Sequence, residues 1–383
     1  MKKIEVILKV TDACNLRCKY CYNGERPYAN NCLSAEHFEK LLTLLQTGYD
    51  LIHIIWHGGE PLSVGLEYYR NAMDIERKIH IRSGVLIENS IQTNGTLIDA
   101  QWIRFFQEND FHVGISFDGI ENEKYRQQTD KTEKAMKALQ DAGVKFGCNA
   151  VVADDQYDLK ANYRYFAQKC ISFDFSRMLQ EGGAKGMPSV ATVAYAKALN
   201  ELFDEWIYDT EGVSIRTFAL YLNMACGGRY RICSTCSCHM KYLSISPDGT
   251  LYNCGRESLG QYPFGSVEDF ENVKDVFTCD NAIALISGSI ARREKCKQTC
   301  EYFSLCAGGC PDVAILENGL ENPPVEYCYT FKTVYTHVRE VYEDIVARKV
   351  PLSKLNPCVK QILANTLSRS EMTAKNDIGD TYV

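Results

Sequence analysis

Three thiols fall within eight residues in the stretch Thr11-Asp12-Ala13-Cys14-Asn15-Leu16-Arg17-Cys18-Lys19-Tyr20-Cys21, directly after the first β-rich run. Thiolates are soft donors that suit iron–sulfur centres and zinc. Three of them can hold a four-iron cluster with one iron left open, just as a catalytic zinc keeps a position for substrate. A small chelating molecule could bind that open iron. Closed structural zinc is the competing reading, and it fits poorly because the loop has no fourth Cys or His.

A second cysteine field lies far downstream. The chain has 18 cysteines, and eleven of the twelve that follow Cys170 fall between Cys226 and Cys328. Its pattern is Cys238, then Pro247-Asp248-Gly249-Thr250-Leu251-Tyr252-Asn253-Cys254, then Cys296, Cys300, Cys306, Cys310 and Cys328. Pro247-Asp248-Gly249 is a turn signal between two β-rich runs, so Cys238 and Cys254 can meet across a hairpin. Zinc ribbons use paired cysteines of this kind too, and iron–sulfur is preferred because of the first loop. Cys32, Cys148, Cys170, Cys279 and Cys358 are read as buried or incidental thiols.

The elements that must carry these loops follow from periodicity. Short β-rich runs at Ile4–Thr11, Ile52–His57, Ile87–Thr93, His112–Phe117, Lys145–Val152 and Ile171–Leu179 alternate with helix-length amphipathic segments. Those segments are Ser34–Gln46, Glu67–Ile79, Asp99–Asn109, Glu121–Gln140 and Leu159–Gln168, and a further helical stretch spans Val190–Tyr208. Repeated strand–helix units imply an α/β fold, a parallel sheet curled into a partial (β/α)6 barrel, with chemistry gathered at the carboxyl ends of its strands. There the sequence places the cysteine loop, His57-Gly58-Gly59-Glu60-Pro61, Gln92-Thr93-Asn94-Gly95 and Ser116-Phe117-Asp118-Gly119. The expected organisation is a barrel with its linking helix at 1–225, a cysteine-rich module at 226–350 and a loose tail at 351–383.

With 383 residues, 45% apolar and 24% charged side chains, the chain can bury a large core, and its net charge of -7 offers no blanket attraction to nucleic acid or an anionic membrane. The N-terminus lacks a signal-peptide core and no apolar run reaches spanning length, so a cytoplasmic location is expected. Thiols stay reduced there, which favours metal ligation over disulfides.

The CxxxCxxC loop, with Tyr20 before its last cysteine, resembles the signature of radical S-adenosylmethionine (SAM) enzymes. That resemblance implies a four-iron cluster on Cys14, Cys18 and Cys21, chelated by the methionyl group of SAM, and an oxygen-sensitive oxidoreductase that makes a 5′-deoxyadenosyl radical. It also implies that Gly58, Gly59 and Glu60 of Gly58-Gly59-Glu60-Pro61 contact the cofactor, the glycines letting backbone approach the methionyl amine. Ser116 and Asp118 resemble positions near the ribose, and Arg126 an arginine that reaches the carboxylate. The same resemblance implies that Tyr20 flanks the adenine and that Leu179, at the end of the sixth strand, packs on it.

The seven-cysteine array resembles the SPASM extension of peptide-modifying radical enzymes, which holds two auxiliary four-iron clusters. By that resemblance Cys238, Cys254, Cys310 and Cys233 bind the nearer cluster, with Cys226 and Cys236 as rivals to Cys233. Cys296, Cys300, Cys306 and Cys328 bind the outer one, although three residues separate Cys296 from Cys300 where two are usual. The implied partners are a peptide or protein substrate and a reductant such as flavodoxin or ferredoxin. Anaerobic sulfatase-maturating enzymes share this layout, oxidise Cys or Ser to formylglycine, and carry an aspartate just after the cysteine that follows the PDG turn. Here that position is Gly255, which favours a maturase of a ribosomally made peptide that forms a thioether, carbon–carbon or ether link. A non-catalytic metal-binding or electron-carrying module is the reading from another class. With the first strand so near the N-terminus, a leader is expected to be held by the barrel, the C-terminal module or a separate protein.

Overall fold

The computed structural model describes residues 1–24, 31–228, 232–235, 238–256 and 258–366. Six strands, β1 (Lys3–Thr11), β2 (Leu51–Gly58), β3 (Leu86–Thr93), β4 (His112–Ser116), β5 (Phe146–Val152) and β6 (Phe173–Arg177), pair in parallel in sequential order. Alternation on β1 explains the layering. Ile4, Val6, Leu8 and Val10 are fully buried beneath the helices, whereas Ile7 on the opposite face lines the interior of the curl. Trp56 anchors the helix-facing layer, its ring tilted 49° against Tyr69 with centres 4.8 Å apart and its Nε1 donating to Asn89 Oδ1 at 2.7 Å.

The C-terminal region does not stand apart from the barrel. Strand β7 (Tyr242–Ile245) pairs in parallel with β1, and β8 (Thr250–Tyr252) and β9 (Gly265–Ser266) follow antiparallel, which gives one nine-stranded sheet of order β6-β5-β4-β3-β2-β1-β7-β8-β9. Backbone hydrogen bonds therefore fix the PDG hairpin against the strand that delivers the first cysteine loop. The long helix Val325–Ala347 packs on Thr192–Trp206 and Arg216–Ala225, tying the two halves together from the other side.

Two expectations are corrected. The segment expected as one helix over Glu121–Gln140 is broken into Asn122–Tyr125 and Thr129–Asp141, with Gln127 and Gln128 at φ of 70° and 52°. Asn122 stabilises the break, donating from Nδ2 to Thr129 Oγ1 at 3.0 Å, and Arg126 is thereby turned toward the barrel mouth. The tail expected to be loose from residue 351 is ordered through 366. Residues 357–366 are helical, and Leu355 and Val359, four apart, are fully buried. The polar end of that expected tail, 367–383, lies outside the described residues. Among the described residues no helix is long and apolar enough to cross a membrane.

Candidate active site

Strand β1 delivers the cysteine loop, and the end of β2 clamps it. Gly59 N–H donates to Thr11 O at 2.8 Å and Glu60 N–H to Ala13 O at 2.7 Å. A Cβ on Gly58 would sit 2.3 Å from Thr11 O, and one on Gly59 2.1 Å from Ala13 O. Gly58 also has φ of 126°, a region that L side chains avoid. Both glycines are thus required by the cysteine loop itself, a reason the sequence did not suggest, and both line the cavity described below.

Glu60 is placed differently from expectation. It is 1% exposed and does not reach the cavity; its carboxylate accepts from Thr93 Oγ1 at 2.6 Å, Asn94 N at 2.8 Å and Leu62 N at 3.1 Å. Its work is to bind the end of β2 to the end of β3. Asp118 is likewise fully buried behind the wall. Its carboxylate accepts from the Tyr20 hydroxyl, from Val151 N at 3.0 Å and from Arg126 Nε at 3.1 Å. Arg126 in turn lies 5.3 Å from the Tyr20 ring centre and 3.9 Å from Cys18 Sγ. Glu60 and Asp118 position other groups; Tyr20, Ser116, Arg126 and Leu179 face the cavity directly.

That cavity measures about 290 Å³, close to the lower end of ligand pockets. Cys14, Cys18 and Cys21 form one part of its wall, and Cys254, Gly255 and Arg256 of the C-terminal hairpin form another. Residues missing from the sequence-based set also face it, notably Tyr22, His57, Gln92 and Glu181. Of these, His57 and Gln92 sit on inward-facing strand positions beside recognised motifs, a signal the alternation of β2 and β3 does carry. Gln92 Nε2 donates to Ser116 Oγ at 2.8 Å. Burial pushes the Cys14 thiol up to about 11 and raises Cys18, with Arg126 pulling Cys18 the other way. Thiols in such surroundings ionise when a metal centre takes them as ligands.

The remaining cysteines separate into two groups. Cys238, Cys254 and Cys310 lie within electrostatic reach of one another, and Cys233 interacts with the first two. Burial raises these thiols to about 12 for Cys238 and about 11 for Cys254 and Cys310. Burial raises the Cys226 thiol, which lies beside Tyr342 and Thr366; Cys236 lies outside the described residues. Cys296, Cys300, Cys306 and Cys328 surround a separate cavity of about 140 Å³, with Lys332 at its edge. The long Cys296–Cys300 spacing is taken up by a helical turn, Cys300 N–H bonding Cys296 O at 2.8 Å. Among the described residues no three His, Cys, Asp or Glu side chains converge as one metal ion requires.

Comparison with known proteins agrees with this geometry. Residues 8–156 match the Radical SAM superfamily. A cysteine-type anaerobic sulfatase-maturating enzyme of Clostridium novyi is 30% identical over 81% of this chain and 88% of its own length. The chain belongs to the radical SAM enzymes. The corresponding Clostridium perfringens enzyme is 29% identical over 88% of this chain and 96% of its own. Among solved structures, native anSMEcpe with bound AdoMet and Cp18Cys peptide superposes with a TM-score of 0.75 at 27% identity, covering 90% of this chain and 99% of that one. In this radical SAM chain Gly255 faces the shared cavity, and a Cβ there would lie 3.0 Å from Ile7 Cγ2 and 3.2 Å from Lys9 Cε.

Proposed function

We propose that the chain holds three four-iron clusters, binds SAM at the iron left open by Cys14, Cys18 and Cys21, and oxidises a side chain of a peptide or protein. The observation that carries this is the single cavity bounded by both the cysteine loop and the Cys254 turn. When bound, the cluster and SAM supply a 5′-deoxyadenosyl radical that takes hydrogen from an unactivated C–H bond. The protein holds the adenosyl part against Tyr20 and Leu179, meets the ribose and carboxylate with Ser116 and Arg126, and keeps water out. His57 Nδ1 accepts from Gly58 N at 2.8 Å, which leaves Nε2–H as the donor of its neutral form. Burial pushes that imidazole down to about 4 and keeps it neutral. A peptide substrate is supported by the sulfatase-maturating relatives and by the peptide-bound neighbour. The thiol-rich chain suits a reducing cytosol, with flavodoxin or ferredoxin as electron source.

Two products fit: formylglycine, as in the relatives' named activity, and a cross-link in a ribosomally made peptide, favoured by Gly255. The test is anaerobic incubation of the reconstituted protein with SAM, dithionite and a cysteine-containing synthetic peptide. Release of 5′-deoxyadenosine with a modified peptide supports the proposal. A carbonyl in place of sulfur marks formylglycine, and loss of two hydrogens with a new bond marks a cross-link. Intact SAM after prolonged reduction of an iron-replete sample would refute radical chemistry.

A further inference from the structure

Oxidising a cysteine side chain to the thioaldehyde level removes two hydrogens. One would leave as an atom, taken by the adenosyl radical; the other must leave as a proton, and a cluster held by Cys238, Cys254 and Cys310 would supply the acceptor for its electron. A carbon radical makes the neighbouring S–H or O–H far more acidic, so even a modest carboxylate base can take that proton. In the sulfatase-maturating pattern the carboxylate follows the hairpin cysteine, and Gly255 provides none.

Among the described residues that line the shared cavity, Glu181 is the one carboxylate. It enters from the loop after β6, and its position is fixed on two sides. Gly183 N–H donates to Cys21 O at 2.8 Å, and Gly182, at φ of 54°, approaches so closely that a Cβ would meet Cys21 O and Tyr22 O at 2.4 Å. From the other side Arg256 Nη1 donates to Glu181 Oε1 at 2.6 Å, one residue beyond Gly255. Arg256 is shared with Asp312, whose Oδ2 is 3.9 Å from its Nε. Tyr22 lies within electrostatic reach of Glu181 on the cysteine-loop side. The other polar groups of the wall are poorer acceptors. The arginines hold their protons, Tyr20 is bound to Asp118, and His57 has its acceptor nitrogen occupied.

We infer that Glu181 is a catalytic residue that accepts the substrate proton in place of a hairpin aspartate, a role that rests on the peptide-oxidising reading above. The loop after β6 has thus taken over a task that the hairpin performs in the sulfatase-maturating pattern. The test uses reconstituted holoenzyme and a synthetic peptide carrying one β-dideuterated cysteine. In Glu181→Gln, deuterium transfer into 5′-deoxyadenosine should stay within about twofold while oxidised peptide per 5′-deoxyadenosine falls by ~10²-fold. Iron content and peptide affinity by fluorescence anisotropy should match the native protein. Glu181→Asp, which disturbs the Arg256 pair but keeps a carboxylate, should recover much of the product yield. Equal product yields in native and Gln proteins, loss of peptide binding in Gln, or equal damage by Asp and Gln would each overturn the assignment. Absence of deuterium transfer in the native protein would instead overturn the reading on which it rests.

Discussion

The two cysteine regions reach the same kind of donor set by opposite routes. In the first, three thiols are neighbours in sequence, and the fold's task is to hold one loop by backbone hydrogen bonds that Thr11 and Ala13 accept from Gly59 and Glu60 at the end of β2. In the second, thiols from a short 3₁₀ turn, a hairpin, three helices and the loops between them meet only after the hairpin has joined the barrel sheet and Val325–Ala347 has packed on the linking helices. A contiguous site tolerates remote damage and is intolerant of local backbone change. A site gathered from distant segments should behave the other way round.

The largest effect is expected from splitting the cysteine groups. Cys14→Ala should abolish SAM cleavage altogether, whereas Cys300→Ala, in the separate outer cavity, should leave 5′-deoxyadenosine formation measurable and lower product formation; chromatography of both compounds decides. If the two variants behave alike, the regions do not divide the work. Next is Asp118→Ala, which leaves Arg126 and Tyr20 without their buried partner. A loss of about 3–5 kcal/mol is expected by chemical denaturation, with weakened SAM binding. Gly59→Ala should cost roughly 1–3 kcal/mol through its collision with Ala13 O, while Gly260→Ala, with no heavy atom near its Cβ position, should be close to neutral.

The smallest effect lies outside both regions and serves as a control. Glu76 is 7% exposed, and burial pushes its carboxyl up to about 8 from 4.5, despite a hydrogen bond from Asn89. The folded protein therefore binds a proton that the unfolded chain releases above pH 4.5. Its contribution to stability is complete at acid pH and is lost as pH rises through about 8. Glu76→Gln should flatten that decline and raise stability at pH 8 by roughly 1 kcal/mol in thermal or urea unfolding. A steeper decline in the variant would contradict the burial argument.

The contrast between the regions also explains what the sequence disclosed. Six parallel strands and the cysteine loop were legible because β-rich runs of period two alternate with amphipathic helices, and because the first ligands are contiguous. The break at Gln127–Gln128 was not, since its cause is the tertiary demand that Arg126 meet Asp118. Asp118 and Glu60 read as cofactor contacts because they stand at strand ends; only packing reveals that each faces inward to brace its neighbours. Glu181 and Arg256 carry no motif at all, and their pairing joins segments 75 residues apart. The helices Asp280–Thr299 and Val325–Ala347, which bear Cys296 and Cys328, were hidden among cysteines that drew attention to metal instead of periodicity.

The most direct measurement of the central claim is iron and acid-labile sulfide per chain after anaerobic reconstitution, compared with a variant in which Cys14, Cys18 and Cys21 are all alanine. Three four-iron clusters predict about twelve irons in the native protein and about eight in the variant, whose remaining centres are held by the gathered cysteines. Zinc in place of iron, or the same iron content in both proteins, would contradict the account.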